Sequence, residues 1–133
     1  FTVSATVVTS CAVSAANLNF GSVGVLAVNV DATTAVTPQC TNGTPYNVGL
    51  NAGTGSGATV SNPKMTSGPS TIVYSLYTNG GRTTVWGNTV GTDTLSGTGN
   101  GLDQALTVYG RVPPQTTPAP ATYSDTIVVT ITY

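Results

Sequence analysis

The 133 residues suit one domain with a buried core, and are too few for two ordinary ones. Only 5% of them are charged, the net charge is −1, and both Glu and His are absent. That excludes a basic field for a phosphate backbone and, with so few cations and carboxylates, makes helical surfaces and proton-shuttling chemistry improbable.

Thr, Ser, Asn, Gly, Val and Ala dominate instead, and 39% of the chain is hydrophobic. β-Branched side chains are stiff at χ1 and pack well on a pleated surface, while 16 Gly and 8 Pro supply turns, so the chain is expected to be all-β. So low a charge density favours association over dispersal, which a protein inside an assembly tolerates. No apolar run approaches the roughly 20 residues that span a bilayer, and no basic-then-apolar leader opens the sequence, so it reads as a mature chain.

Phe1 to Ser10 alternates with period two, sending Phe1, Val3, Ala5 and Val7 one way and Thr2, Ser4 and Thr6 the other, and reads as a strand. A second run extends from Cys11 through Val13, Leu18 and Phe20 to Gly21. A third, from Ala27 to Gln39, alternates Val28, Val30, Ala32, Thr34 and Val36. With no His and no third Cys to complete a metal site, Cys11 and Cys40 are read as a disulfide, which implies an oxidising compartment; two free thiols are the alternative.

The turn signal Asn42-Gly43 precedes a short strand, Pro45 to Leu50, and residues 51–61 form a Gly/Ser/Thr-rich loop with a short element following at Lys64 and Met65. Ile72 to Tyr77 is a strong strand, joined by Asn79-Gly80-Gly81 to Thr83–Trp86 as a hairpin. Gly97 to Gly101 reads as a second loop, Ala105 to Arg111 as a strand, and Pro113, Pro114, Pro118 and Pro120 as a ladder break. The last run, Ser124 to Tyr133, places Ile127, Val129, Ile131 and Tyr133 on one face. About seven short strands at this spacing describe an immunoglobulin-like β-sandwich. The sequence opens and closes within alternating apolar strands, and edges of that kind invite another strand.

Chemistry-bearing groups are scarce: one Lys and four scattered Asp (Asp31, Asp93, Asp103, Asp125), each read as a solvated or turn residue. No catalytic, cofactor or metal set is expected. Gly53 to Ala58 formally matches a phosphate-cradle pattern, but it lacks the strand-then-helix context. Asn42-Gly43-Thr44 fits a glycosylation acceptor and, preferentially, a β-turn. Trp86, Tyr74, Tyr77 and Tyr109 could line a sugar-binding face, with core packing the preferred reading.

An ordered set of segments resembles the spore coat protein U domain family, the subunits of archaic chaperone-usher pili. These segments are Cys11 with Leu18–Gly21, Cys40–Tyr46, Tyr74–Tyr77 with Arg82 and Trp86-Gly87, Val108–Pro113, and Tyr123–Tyr133. The resemblance implies a sandwich that lacks its last strand and is completed by a donor strand from a neighbouring subunit. Residues 1–10 would then be the donor segment and 11–133 the pilin domain. Phe1, Val3, Ala5 and Val7 would be donor side chains, and Ile127, Val129 and Ile131 would line the acceptor groove. The implied partners are identical or homologous subunits, a periplasmic chaperone and an outer-membrane usher, in an extracellular pilus reached through the periplasm. A pilus-tip adhesin or carbohydrate-binding module, or a spore-coat structural protein, shares the same fold and stays open as an alternative.

Overall fold

The computed structural model describes all 133 residues and contains no helix. Nine strands form: β1 Cys11–Ala15, β2 Val30–Cys40, β3 Pro45–Leu50, β4 Lys64–Ser67, β5 Ser70–Val73, β6 Ser75–Tyr77, β7 Leu95–Thr98, β8 Leu106–Val112 and β9 Val129–Thr132. They make an open sandwich. One sheet has the order β1-β2-β8-β6, the other β7-β3-β9, and β4-β5 is a separate hairpin. Val36, Val108 and Leu76 of the first sheet meet Val48 and Leu50 of the second around Trp86, whose indole Nε1 donates to the Val48 carbonyl at 2.8 Å.

Strand registers define two poles. Cys11 lies opposite Cys40, β2 runs directly into the Thr41–Thr44 turn, and Asn47 faces Thr132, so Cys11 and the end of β9 share the turn pole. The start of β2, the end of β8 and the start of β9 stand at the other pole.

Several sequence expectations are corrected. Phe1 to Ser10 forms no strand and every residue of it is exposed; only Ser10, at its root, finds a backbone partner, in Thr41. The run from Cys11 leaves the ladder after Ala15, where Leu18 and Phe20 turn inward; a Cβ on Gly110 would meet Leu18 Cδ2 at 2.6 Å, so glycine admits them. The strand expected from Ala27 begins at Val30, and Val28 is exposed.

Ile72–Tyr77 is divided at Tyr74, whose amide donates to the Pro63 carbonyl; β5 pairs with β4 and β6 with β8. The hairpin expected after it is reduced to a single bridge, Tyr77 with Val85. There the Asn79 side chain accepts from the amides of Thr83 and Thr84, and Arg82, at φ 54°, takes the left-handed conformation rather than Gly80 or Gly81. Gly97, expected in a loop, belongs to β7 opposite Tyr46, where a Cβ would strike the Tyr46 ring. In the last run only Val129–Thr132 forms a strand: Ser124 makes a lone bridge to Thr66, and the Val128 amide is taken by Asn51 Oδ1.

Candidate functional site

β1 has only β2 beside it and β9 has only β3, so each sheet ends in an edge with unpaired backbone groups, both on the same side of the sandwich. Between them lies a cleft of about 630 Å³. Ala15, Leu18 and Phe20 form one wall and Tyr123, Ile127 and Val129 the other, over a floor that includes Val36, Leu50, Leu76 and Val108. Its lining lies mainly toward the pole remote from Cys11, where the chain has left the β1 ladder and β9 has not yet begun.

Among the polar groups in the lining is the only charged one, Asp125. Tyr74 donates its hydroxyl to Asp125 Oδ2 at 2.7 Å, and Asp125 Oδ1 accepts from the Thr54 amide, the Thr54 hydroxyl and the Thr126 amide. Burial, reinforced by the Asp125 carboxylate, pushes the Tyr74 phenol well above its ordinary value. The loop at Gly53, whose pattern resembles a phosphate cradle, thus already directs its Thr54 amide at a carboxylate.

Cys11 and Cys40 form a disulfide at the turn pole, with Cα atoms 4.1 Å apart. Directly before it, Ser10 exchanges bonds with Thr41: the Thr41 amide donates to the Ser10 carbonyl at 2.9 Å, and the Ser10 amide to Thr41 Oγ1 at 3.2 Å. Beyond that point residues 1–9 project as a tail; Val3 and Val7 are 85% and 87% exposed.

The structure brings Ile127 and Val129 into the cleft wall, while Ile131, opposite Val48, packs on the core and is outside the cleft lining. Phe1, Val3, Ala5 and Val7 touch neither. Sequence reasoning missed Leu18, Phe20, Tyr123 and the Tyr74–Asp125 pair as cleft residues. The first two carried a signal, an apolar pair just where the β1 alternation loses step; Tyr74 and Asp125 are 51 residues apart and carried none.

Trp86 and Tyr74 are buried, and Tyr109 lies under the Arg82 guanidinium, 5.6 Å from ring centroid to Cζ, so these aromatics pack as preferred and form no open face. Asn42-Gly43 forms the preferred turn, closed by the Thr44 amide donating to the Thr41 carbonyl. Two of the three cations, dispersed in sequence, converge: Arg111 grips Asp31 through both carboxylate oxygens at 2.7 and 3.0 Å, with Arg82 3.6 Å away. That grip holds the Asp31 carboxyl below its ordinary value.

The family model for the Spore Coat Protein U domain matches residues 1–130. "Protein U" of Myxococcus xanthus is 38% identical over 128 residues, covering 87% of this chain and 71% of that protein. A chain in the crystal structure of the CsuC–CsuE chaperone–tip adhesion subunit pre-assembly complex, from the archaic chaperone-usher Csu pili of Acinetobacter baumannii, superposes with a TM-score of 0.66 at 26% identity. That superposition covers 96% of this chain but 40% of the Csu chain, so the present chain spans less than half of it.

Proposed function

The chain belongs to the Spore Coat Protein U domain family, and from that membership we propose that it is a structural pilin subunit that polymerises head-to-tail by donor-strand complementation. The observation that carries this reading is an exposed, alternating apolar tail on a body whose apolar cleft lies open between two free strand edges. Each supplies what the other lacks: the cleft needs a backbone to complete two ladders and side chains to fill its depth, and the tail needs a partner for both.

Polarity follows from the poles. The tail leaves at the Cys11 pole, and the cleft lining lies mainly toward the other. A neighbour seated on that far pole would send its tail down the cleft toward Tyr133, antiparallel to β9. Ten extended residues reach roughly 33 Å, comparable to the span from Tyr123 to Tyr133 if extended. Phe1, Val3, Ala5 and Val7 would point inward against Ile127 and Val129, with Ile131 backing the wall. Each large side chain so buried contributes about 1.5–3 kcal/mol, and the ladder adds more, which makes a joint slow to dissociate. Because donor and acceptor surfaces differ, the contact repeats without closing and yields a filament.

An empty cleft would expose apolar surface and unpaired amides, a hazard for aggregation. In this proposal a periplasmic chaperone covers it first and an outer-membrane usher exports the subunit into an extracellular pilus; the chaperone–subunit complex among the structural neighbours supports that order. The role is mechanical, with no reaction assigned. The test is deletion of residues 1–9 with co-expression of the matching chaperone: a folded body and no fibres are expected, and normal fibres would overturn the proposal.

A further inference from the structure

A second cleft, of about 380 Å³, opens at the far pole. Its floor is Leu26 and Ile72, both buried, and its rim includes Val25, Pro118, Pro120 and Tyr123, with no charged side chain in the lining. Tyr123 also lines the main cleft, so the two adjoin at this side chain. Polar bonds outside the apolar surface hold it open. The Leu26 amide donates to Thr117 Oγ1 at 2.9 Å, and the Gln115 amide to the Leu26 carbonyl at 3.1 Å. The Gln115 side chain pairs with Val73 in both directions, at 3.0 and 2.8 Å, standing in for a missing strand. Two prolines with fixed φ complete a rigid, preformed rim. Val25 nevertheless stands 80% exposed on it.

The tail-exit pole carries a matching feature. Leu102 is 66% exposed, in a loop pinned to Cys40 by the Gly101 amide donating to the Cys40 carbonyl at 2.9 Å and by Gln39 Nε2 donating to the Gly101 carbonyl. It therefore stands on the body near Cys11, where the tail leaves.

We infer that the second cleft is a docking site for another copy of this chain and receives Leu102 of the neighbour whose tail fills the main cleft. The inference rests on the strand-donation reading, which seats the neighbour's Cys11 pole at the Tyr123 end of the main cleft. The shared Tyr123, which sets the two clefts side by side, and the absence of charge from the second one's lining then favour an apolar contact there. One attachment leaves the neighbour free to swivel about its tail at Thr9; a second fixes the angle between subunits and stiffens the fibre.

The test uses assembled fibres with the photo-cross-linker p-benzoylphenylalanine at position 25, together with the Leu102→Asp variant. Cross-links from position 25 to the neighbour's 99–104 loop are expected. Leu102→Asp should still form fibres, with a persistence length in electron micrographs lower by about two-fold or more. If position 25 cross-links to nothing or only to the chaperone, or if Leu102→Asp fibres are as stiff as wild type, this contact is refuted. Strand donation still stands in that case, provided that deleting residues 1–9 abolishes fibres. If the deletion leaves fibres intact, strand donation fails and the contact loses its basis with it.

Discussion

The Tyr74 hydroxyl bonds Asp125 across 51 residues of sequence and ties the middle of the chain to the segment leading into β9. The pair holds one wall of the main cleft on the core. Tyr74→Phe removes a hydrogen bond to a charged group, so unfolding free energy should fall by about 1–3 kcal/mol in a urea titration. Asp125→Ala should fall further, because it strands the Tyr74 hydroxyl and the Thr54 amide together.

The same pair predicts an alkaline signature. Tyr74 has its folded value raised, so its contribution to stability is complete below the ordinary value of 10.0 and declines as pH rises beyond it. Wild type and Tyr74→Phe should therefore develop equal phenolate absorbance up to about pH 11. A deficit of one tyrosine in the variant would show that Tyr74 ionises freely.

Ile127 and Ile131 lie on one face of the last run yet meet different surroundings, and alanine at each should separate them. Ile131→Ala, opposite Val48, should destabilise the isolated body by about 2–4 kcal/mol. Ile127→Ala should leave the body much closer to wild type and lower the melting temperature of a fibre built by the proposed strand donation. Equal effects on body and fibre at both positions would remove the distinction.

The disulfide closes a separation of 29 residues. On chain-entropy grounds, replacing both cysteines by Ser should cost about 3–4 kcal/mol. Because Ser10 and Thr41 continue the same ladder, the loss should also free the root of the tail, seen as faster amide exchange at Thr41. Unchanged exchange there would show that the ladder holds without the bridge.

Asp31 provides an acid-limb test. Its folded value is depressed, chiefly by the Arg111 hydrogen bond, so the pair stabilises fully above the ordinary value of 3.8 and is lost as pH falls through the lower folded value. Melting temperature should drop more steeply below pH 3.8 in wild type than in Asp31→Asn. Parallel curves would mean that the exposed pair contributes nothing.

Much of this molecule is legible in its residues. Composition excludes helices and points to strands, cysteine usage gives the bridge, and alternation finds β2, β3 and β8 nearly to their ends. Alternation in residues 1–10 marks a strand-forming segment without saying that no partner lies in the same chain. It likewise runs Ile72–Tyr77 and Ser124–Tyr133 together as whole strands, where the Tyr74 amide and the Val128 amide are each claimed by a distant acceptor.

The local part is therefore readable from the residues: extended backbone, turn positions, and which side chains are apolar on one face, since these depend on neighbours a few residues away. That β1 and β9 end as free edges, that Leu18, Phe20 and Tyr123 converge on Ile127 and Val129, and that tail and cleft lining lie toward opposite poles is fixed only once the strands have paired. Those facts depend on registers between strands dozens of residues apart, which periodicity along one strand does not encode.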